Sequence, residues 1–134
     1  MSLGAAPDVV PFPVTPRIHH VQVAAPPGSE PAARSFYGEL LGFVEVPKPP
    51  HLARRGGVWF DLGQGQLHVG IDPEFRPAQK GHPAFEVGRL DELRARLTAR
   101  GVRTWDDEPL PGYRRFYVND PFGNRVELLE RVDG

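Results

Sequence analysis

The stretch NDPFGNRVELLE, residues 119–130, reads as a tight turn followed by a strand. Pro121 presets one turn dihedral, and Gly123 or Asn124 supplies a positive one. In the strand that follows, Val126 and Leu128 alternate with Arg125 and Glu127, the pattern of a half-buried sheet. The earlier stretch QLHVGI, residues 66–71, has the same alternation with His68 at the place of Glu127. His68 and Glu127 are 59 positions apart, and so are Gly42 and Gly101, each of which ends a helical pattern. A constant offset between two such pairs implies a chain built twice from one unit.

The elements around these landmarks agree. IHHVQVAA from residue 18 is an alternating strand. Ser29 can cap a helix with Pro31 in its first turn, apolar positions at Ala33, Phe36, Tyr37, Leu40 and Leu41, and Gly42 as its stop. Short strands follow at 43–46, 57–62 and 66–71, the last two joined by a GQG turn. After the Pro-rich linker DPEFRPAQKG the order restarts: HPAFEV (82–87) as a strand, RLDELRARLTAR as a helix with Leu90, Leu93 and Leu97 on one face, VRTW as a short strand, RRFYVN, and RVELLE. The expected fold is α+β: two tandem β-α-β-β-β modules forming a curved mixed sheet around a cleft. Module one covers 18–72, the linker 73–81 and module two 82–131. All belong to a single domain over 18–134, preceded by a proline-rich N-terminal arm at 1–17.

Composition narrows the function. A chain of 134 residues with 40% hydrophobic content suits one domain with a real core. Sixteen Lys and Arg against 17 Asp and Glu, without a basic run, argue against a nucleic-acid partner. No apolar run approaches a membrane span and no secretory leader is recognisable, so neither a membrane partner nor export is expected, and the expected location is cytoplasmic. With no cysteine, a metal would need His and carboxylate ligands.

Strand alternation sorts the residues into two faces. Val21, Val23, Val58, Phe60, Leu62, Leu67, Val69, Ile71, Phe85, Val87, Phe116, Val118, Val126 and Leu128 should lie under the helices. The opposite face carries His20, Gln22, Trp59, Asp61, Gln66, His68, His82, Glu86, Arg115, Tyr117, Arg125 and Glu127, which would line the cleft. His20 and His82 occupy equivalent places in the two first strands, as His68 and Glu127 do in the two last strands. Rotating one module onto the other would bring all four to one point, where imidazole and carboxylate donors suit a divalent first-row metal. His19 falls on the helix side by parity, and His51 falls on a loop, where it is a bystander sooner than part of the cleft mouth.

Three motifs carry a family resemblance: HHVQVA opening the first unit, FYGELLGF ending the first helix, and DPFGNRVELLE closing the second unit. Together they resemble the vicinal oxygen chelate superfamily, which includes glyoxalase I, fosfomycin- and bleomycin-resistance proteins and the extradiol dioxygenases. The resemblance implies a cleft with a metal held by His20, His82 and Glu127. Glyoxalase I carries a Glu where this chain has His68, which counts against that activity in the strict sense. His68 is thus a fourth ligand, a general base or a substrate contact. Pro83 also departs from the usual branched residue after the ligand His.

The expected function is a metal-dependent enzyme acting on a small oxygen-rich substrate chelated through neighbouring oxygens. Lyase or isomerase chemistry is favoured over dioxygenase chemistry. His68 and Glu86 are the candidate catalytic groups, and Trp59, Arg115 and Tyr117 the candidate substrate contacts. The cofactor would be a divalent ion such as Zn, Ni, Mn or Fe. The alternative is a metal-free sequestering protein of the bleomycin-resistance type. A homodimer is expected from the resemblance and from sheet edges that need cover.

Overall fold

A computed structural model of the protein describes residues 15–132. The first unit runs β1 (His20–Ala25), α1 (Glu30–Ala33) continued with π spacing over Arg34–Leu40, β2 (Val44–Val46), a one-turn helix α2 (Pro50–Ala53), β3 (Val58–Asp61) and β4 (Gln66–Ile71). The second runs β5 (Ala84–Glu86), α3 (Leu90–Ala99), β6 (Thr104–Trp105), β7 (Tyr113–Asn119) and β8 (Arg125–Arg131). Each unit folds into its own four-stranded sheet, in the orders β1-β4-β3-β2 and β5-β8-β7-β6. In both sheets the first strand pairs parallel with the last, and the other pairs are antiparallel. The expected α+β fold of two like modules is therefore present, as two mixed sheets. The arm expected over residues 1–17 falls outside the described residues up to residue 14.

The helix-side alternation holds where packing enforces it. Val58, Phe60, Leu67, Val69, Phe116, Val118, Val126 and Leu128 are all buried, and they share one contiguous core with Phe36, Leu40, Leu90 and Leu97 from the helices. Leu62 does not join them. It follows β3 in the turn and is 37% exposed. The Ser29 hydroxyl donates to Pro26 O rather than capping α1. The wider π turns beyond Arg34 still bury Phe36, Tyr37 and Leu40, because a local change of pitch can re-aim a face without ending the helix. The second strand 82–87 shortens to Ala84–Glu86, leaving His82 just outside it. Pro83 explains this, since a residue without an N–H cannot extend the ladder in the strand interior. His51 lies in α2 rather than in a loop. None of the described helices is long and apolar enough to cross a membrane.

The two modules are joined by the turn that ends β7. Asp120 is 4% exposed. Its carboxylate accepts from the Tyr37 hydroxyl at 2.7 Å, from the Asn124 side-chain amide at 2.9 Å and from the backbone N–H groups of Phe122 and Asn124 at 2.9 Å. Asn124 also donates to Ala24 O of β1 at 2.8 Å and accepts from Ala78 N at 3.0 Å. Gly123, at φ +92°, closes the turn with its N–H on Asp120 O. Burial first, and then the Asp120 charge, pushes the Tyr37 phenol well above its usual range, so it stays a donor.

Replacing Asp120 by Ala should destabilise the protein by about 3 kcal/mol or more, since it strands the buried Tyr37 hydroxyl and Asn124 amide. Tyr37→Phe should cost less, about 1 to 2 kcal/mol. Urea unfolding measures both, and an Asp120→Ala loss under about 1 kcal/mol would contradict the assignment.

Candidate functional site

Each sheet presents its polar side chains on the face away from the helices, and each face has its own cluster. On the first sheet, cross-strand register sets Trp59 and Gln22 on either side of His68. The His68 ring stacks on Trp59, with centroids 4.0 Å apart, and on His20, with centroids 4.1 Å apart. Its Nε2 bonds Gln66 Oε1 at 2.8 Å. Lys48 Nζ lies 5.7 Å from the Trp59 ring centroid. His68 is only 5% exposed. Burial, then the electrostatic influence of its neighbours His20, His19 and Lys48, push its pKa down to about 4, so the ring is neutral at physiological pH.

On the second sheet, Tyr117 is directly opposite Glu127, and Glu127 is also 5% exposed. Glu127 Oε1 meets His82 Nε2 at 2.9 Å, and Oε2 accepts from Arg115 Nη1 at 3.1 Å. Burial alone would raise the Glu127 pKa, but the bonds from His82 and Arg115 outweigh it and hold the carboxyl below its ordinary value. His82 Nδ1 faces Lys80 O at 3.0 Å, which orients the ring toward Glu127. Arg115 donates its Nε and Nη2 to Glu108 O. Arg125 lies over the Tyr117 ring, with Cζ 4.1 Å from the centroid.

The structure thus brings together two pairs, His20 with His68 and His82 with Glu127, one on each sheet. Substrate candidates divide the same way, Trp59 with the first pair and Arg115 and Tyr117 with the second. Among the described residues no group of three or more His, Asp or Glu could hold a metal ion within one chain. The donor types fit a divalent cation, yet each module supplies only half of a four-donor set. Glu86 stands apart: it is exposed and 4.0 Å from Arg131. His19 is exposed, with Nδ1 3.0 Å from His20 Nδ1. Sequence reasoning passed over Lys48, which flanks the ring stack, and set Gln66, which holds it, and Arg125 on the cleft-lining face without giving either a role. For Arg125 the signal was available, because strand alternation sets it on the same face as Glu127.

The family model described as Glyoxalase/Bleomycin resistance protein/Dioxygenase superfamily matches residues 17–128. No curated protein matches the chain at a significant level. Among solved structures, a glyoxalase family protein from Bacillus anthracis is 48% identical, with a TM-score of 0.84 over 89% of this chain and 98% of that one. A lactoylglutathione lyase from Agrobacterium tumefaciens is 24% identical, with a TM-score of 0.63 over 89% of this chain and 96% of that one. An antibiotic-binding protein from Streptomyces is 22% identical, with a TM-score of 0.69 over 90% and 99%. At the identities of the last two, the likeness bears on the fold alone.

The depressed His68 pKa makes a stability prediction for metal-free protein. A ring that resists protonation when folded takes up protons only on unfolding, so its contribution is complete above about pH 6.5 and is lost as pH falls toward 4. The loss across that window should be at most about 3 kcal/mol. His68→Gln should flatten the pH dependence of thermal stability there, and a variant with the wild-type slope would contradict the assignment.

Proposed function

The chain belongs to the Glyoxalase/Bleomycin resistance protein/Dioxygenase superfamily, and on that premise we propose that it is a metal-dependent enzyme whose centre is completed between two copies of the chain. The observation that carries this reading is the buried Glu127–His82 pair facing outward from the second sheet, matched on the first sheet by His68 and His20. Two donors per module, on faces that a single chain leaves separate, become four donors when the first face of one copy meets the second face of another. The proposed homodimer therefore supplies the site as well as cover for the sheets.

When bound, a divalent ion of the Zn, Ni, Mn or Fe type supplies a Lewis acid able to take two neighbouring oxygens of a small substrate and to stabilise an oxyanion or enolate. The protein's own groups divide the remaining tasks. Glu127 brings the negative charge, oriented by His82 and Arg115. Trp59 offers a flat apolar wall, and Tyr117 with Arg115 a polar one, so that a planar oxygen-rich molecule is held between them. His68 suits a neutral ligand or hydrogen-bond partner better than a general base, because a base works best with a pKa near the operating pH. Glu86, exposed and apart from Glu127, is a weaker candidate base than its position in the sequence suggests. Lyase or isomerase chemistry remains the favoured reaction type.

A specific observation favours a second reading. Arg115 already neutralises Glu127 at 3.1 Å, as a metal-free cleft would require. In that case the chain sequesters a ligand without turnover; the Streptomyces protein is named as antibiotic-binding.

Elemental analysis of protein purified with metal supplementation decides between the two. The enzyme reading expects near-stoichiometric metal, strongly reduced in Glu127→Gln, His20→Ala and His82→Ala, by more than the roughly 10 to 100-fold typical of groups that only support ligands. His68→Ala should lose metal with them if His68 is a ligand, and keep it if His68 only contacts substrate. Wild-type protein without metal, or all three variants with wild-type content, would move the assignment to the binding module. Sedimentation at micromolar concentration should give a dimer; a 14.9 kDa species alone would reject a shared centre.

A further inference from the structure

His68 and His82 are each anchored through one ring nitrogen, but not through the same one. In the second module the anchor is backbone: His82 Nδ1 donates to the Lys80 carbonyl at 3.0 Å, which turns Nε2 toward Glu127. In the first module it is a side chain, Gln66, whose Oε1 lies 2.8 Å from His68 Nε2.

Gln66 and His68 are two apart on β4 and share its polar face. The Gln66 backbone is fixed from both sides, paired with His20 in β1 and with Asp61 in β3, and its side chain reaches along the strand to the edge of the ring. The plane of the ring is set separately, by the stacks on Trp59 and His20 at interplanar angles of 5° and 15°. Stacking does not distinguish a ring from the same ring turned over by half a rotation about χ2, because both fill the same slab. The bond to Gln66 does distinguish them, since only one edge of the ring then faces the carboxamide.

A neutral imidazole has one N–H donor and one acceptor nitrogen, and its tautomer follows from its partners. With Gln66 Oε1 as acceptor, the proton sits on Nε2 and the lone pair on Nδ1. The opposite tautomer would put an N–H at Nδ1, which has no partner among the described residues, in a ring that is almost wholly buried. A buried donor left unmade costs more than an unused lone pair. Among the described residues Arg125 Nε alone is both unpartnered and without accessible surface, so His68 Nδ1 keeps some accessible surface.

Resting on the reading that His68 faces the metal or its substrate, we propose that Gln66 is a positioning residue: it holds His68 as the Nε2–H tautomer and so selects Nδ1 as the nitrogen offered to the site. The two modules then present opposite nitrogens, Nδ1 from His68 and Nε2 from His82. An imidazole whose other N–H is held by an oxygen is both oriented and made a stronger donor to a metal, and Gln66 supplies that oxygen. A substrate in direct contact with His68 must bring an O–H or N–H, because Nδ1 in this tautomer only accepts.

The test uses chelator-treated full-length protein carrying the heavy nitrogen isotope in its histidines, at about pH 8, above the usual imidazole range. Long-range proton–nitrogen spectra should show His68 with a protonated Nε2 and a bare Nδ1. Gln66→Leu should shift both signals toward a mixture of tautomers, and Gln66→Glu, whose carboxylate only accepts, should restore the wild-type pattern. The His82 signals, from the other module, should stay unchanged in both variants and so report an intact fold. Zinc added to the wild type should shift Nδ1 of His68 and Nε2 of His82. A wild-type His68 protonated at Nδ1, a Gln66→Leu spectrum equal to wild type, or zinc bound through His68 Nε2 would overturn the proposal. The tautomer is read without metal, so a protein that binds no zinc yet shows the Gln66-dependent tautomer loses the metal reading and keeps Gln66 as the residue that positions His68. One that binds zinc while its tautomer is indifferent to Gln66 keeps the metal reading and loses this one.

Discussion

The arrangement of this protein depends on one buried carboxylate. Asp120 sits in the turn between β7 and β8, yet its partners reach the first module through the Tyr37 hydroxyl and, by way of Asn124, the carbonyl of Ala24. A carboxyl group so deeply buried is tolerable only when its lone pairs are occupied, and here four donors occupy them. The consequence is geometric. The turn of one module is locked onto the first helix and first strand of the other, and a core continuous through both modules forms on the helix side. That side is used for intramolecular packing, and the polar clusters of the two sheets lie on the opposite faces.

The same division explains why the candidate donors form two pairs. Cross-strand register fixes each pair locally: His68 opposite Trp59, and Glu127 opposite Tyr117. Nothing in that register brings one pair to the other. Within each half the electrostatics already suit a polar occupant: a neutral His68 held by Gln66, and a Glu127 kept ionised by Arg115 and His82. Beside them Arg125 lies stacked on the Tyr117 ring, paired with Asp107 and with its Nε buried and without a partner.

Much of this could be read from the sequence, for identifiable reasons. The 59-residue offset and the two-residue alternation are properties of covalent order, so the duplicated modules, the buried set around Phe60, Leu67, Phe116 and Leu128, and the polar set including His68 and Glu127 were accessible from residue types alone. Long-range polar pairing was not. No local pattern tells that Tyr37 meets Asp120 across 83 residues, or that Arg115 turns toward Glu127 while Arg125 lies on Tyr117. The sequence picture of four donors at one point left open whether the modules pair within one chain or between two; among the described residues of one chain no three such donors come together. Smaller departures have local causes: Pro83 delays β5 past His82, and Leu62 escapes the core because β3 ends before it.

The most direct test of a centre shared between two copies is complementation between damaged halves. His20→Ala impairs the first-module half and Glu127→Gln the second-module half, so neither variant alone should hold metal. Co-refolded, they would form heterodimers in which one site carries both lesions and the other carries none. The account predicts that metal binding returns in the mixture, in the heterodimer fraction and in neither parent. If the mixed sample binds no more metal than the two variants apart, while wild-type protein binds it, the centre lies within a single chain and the account is contradicted.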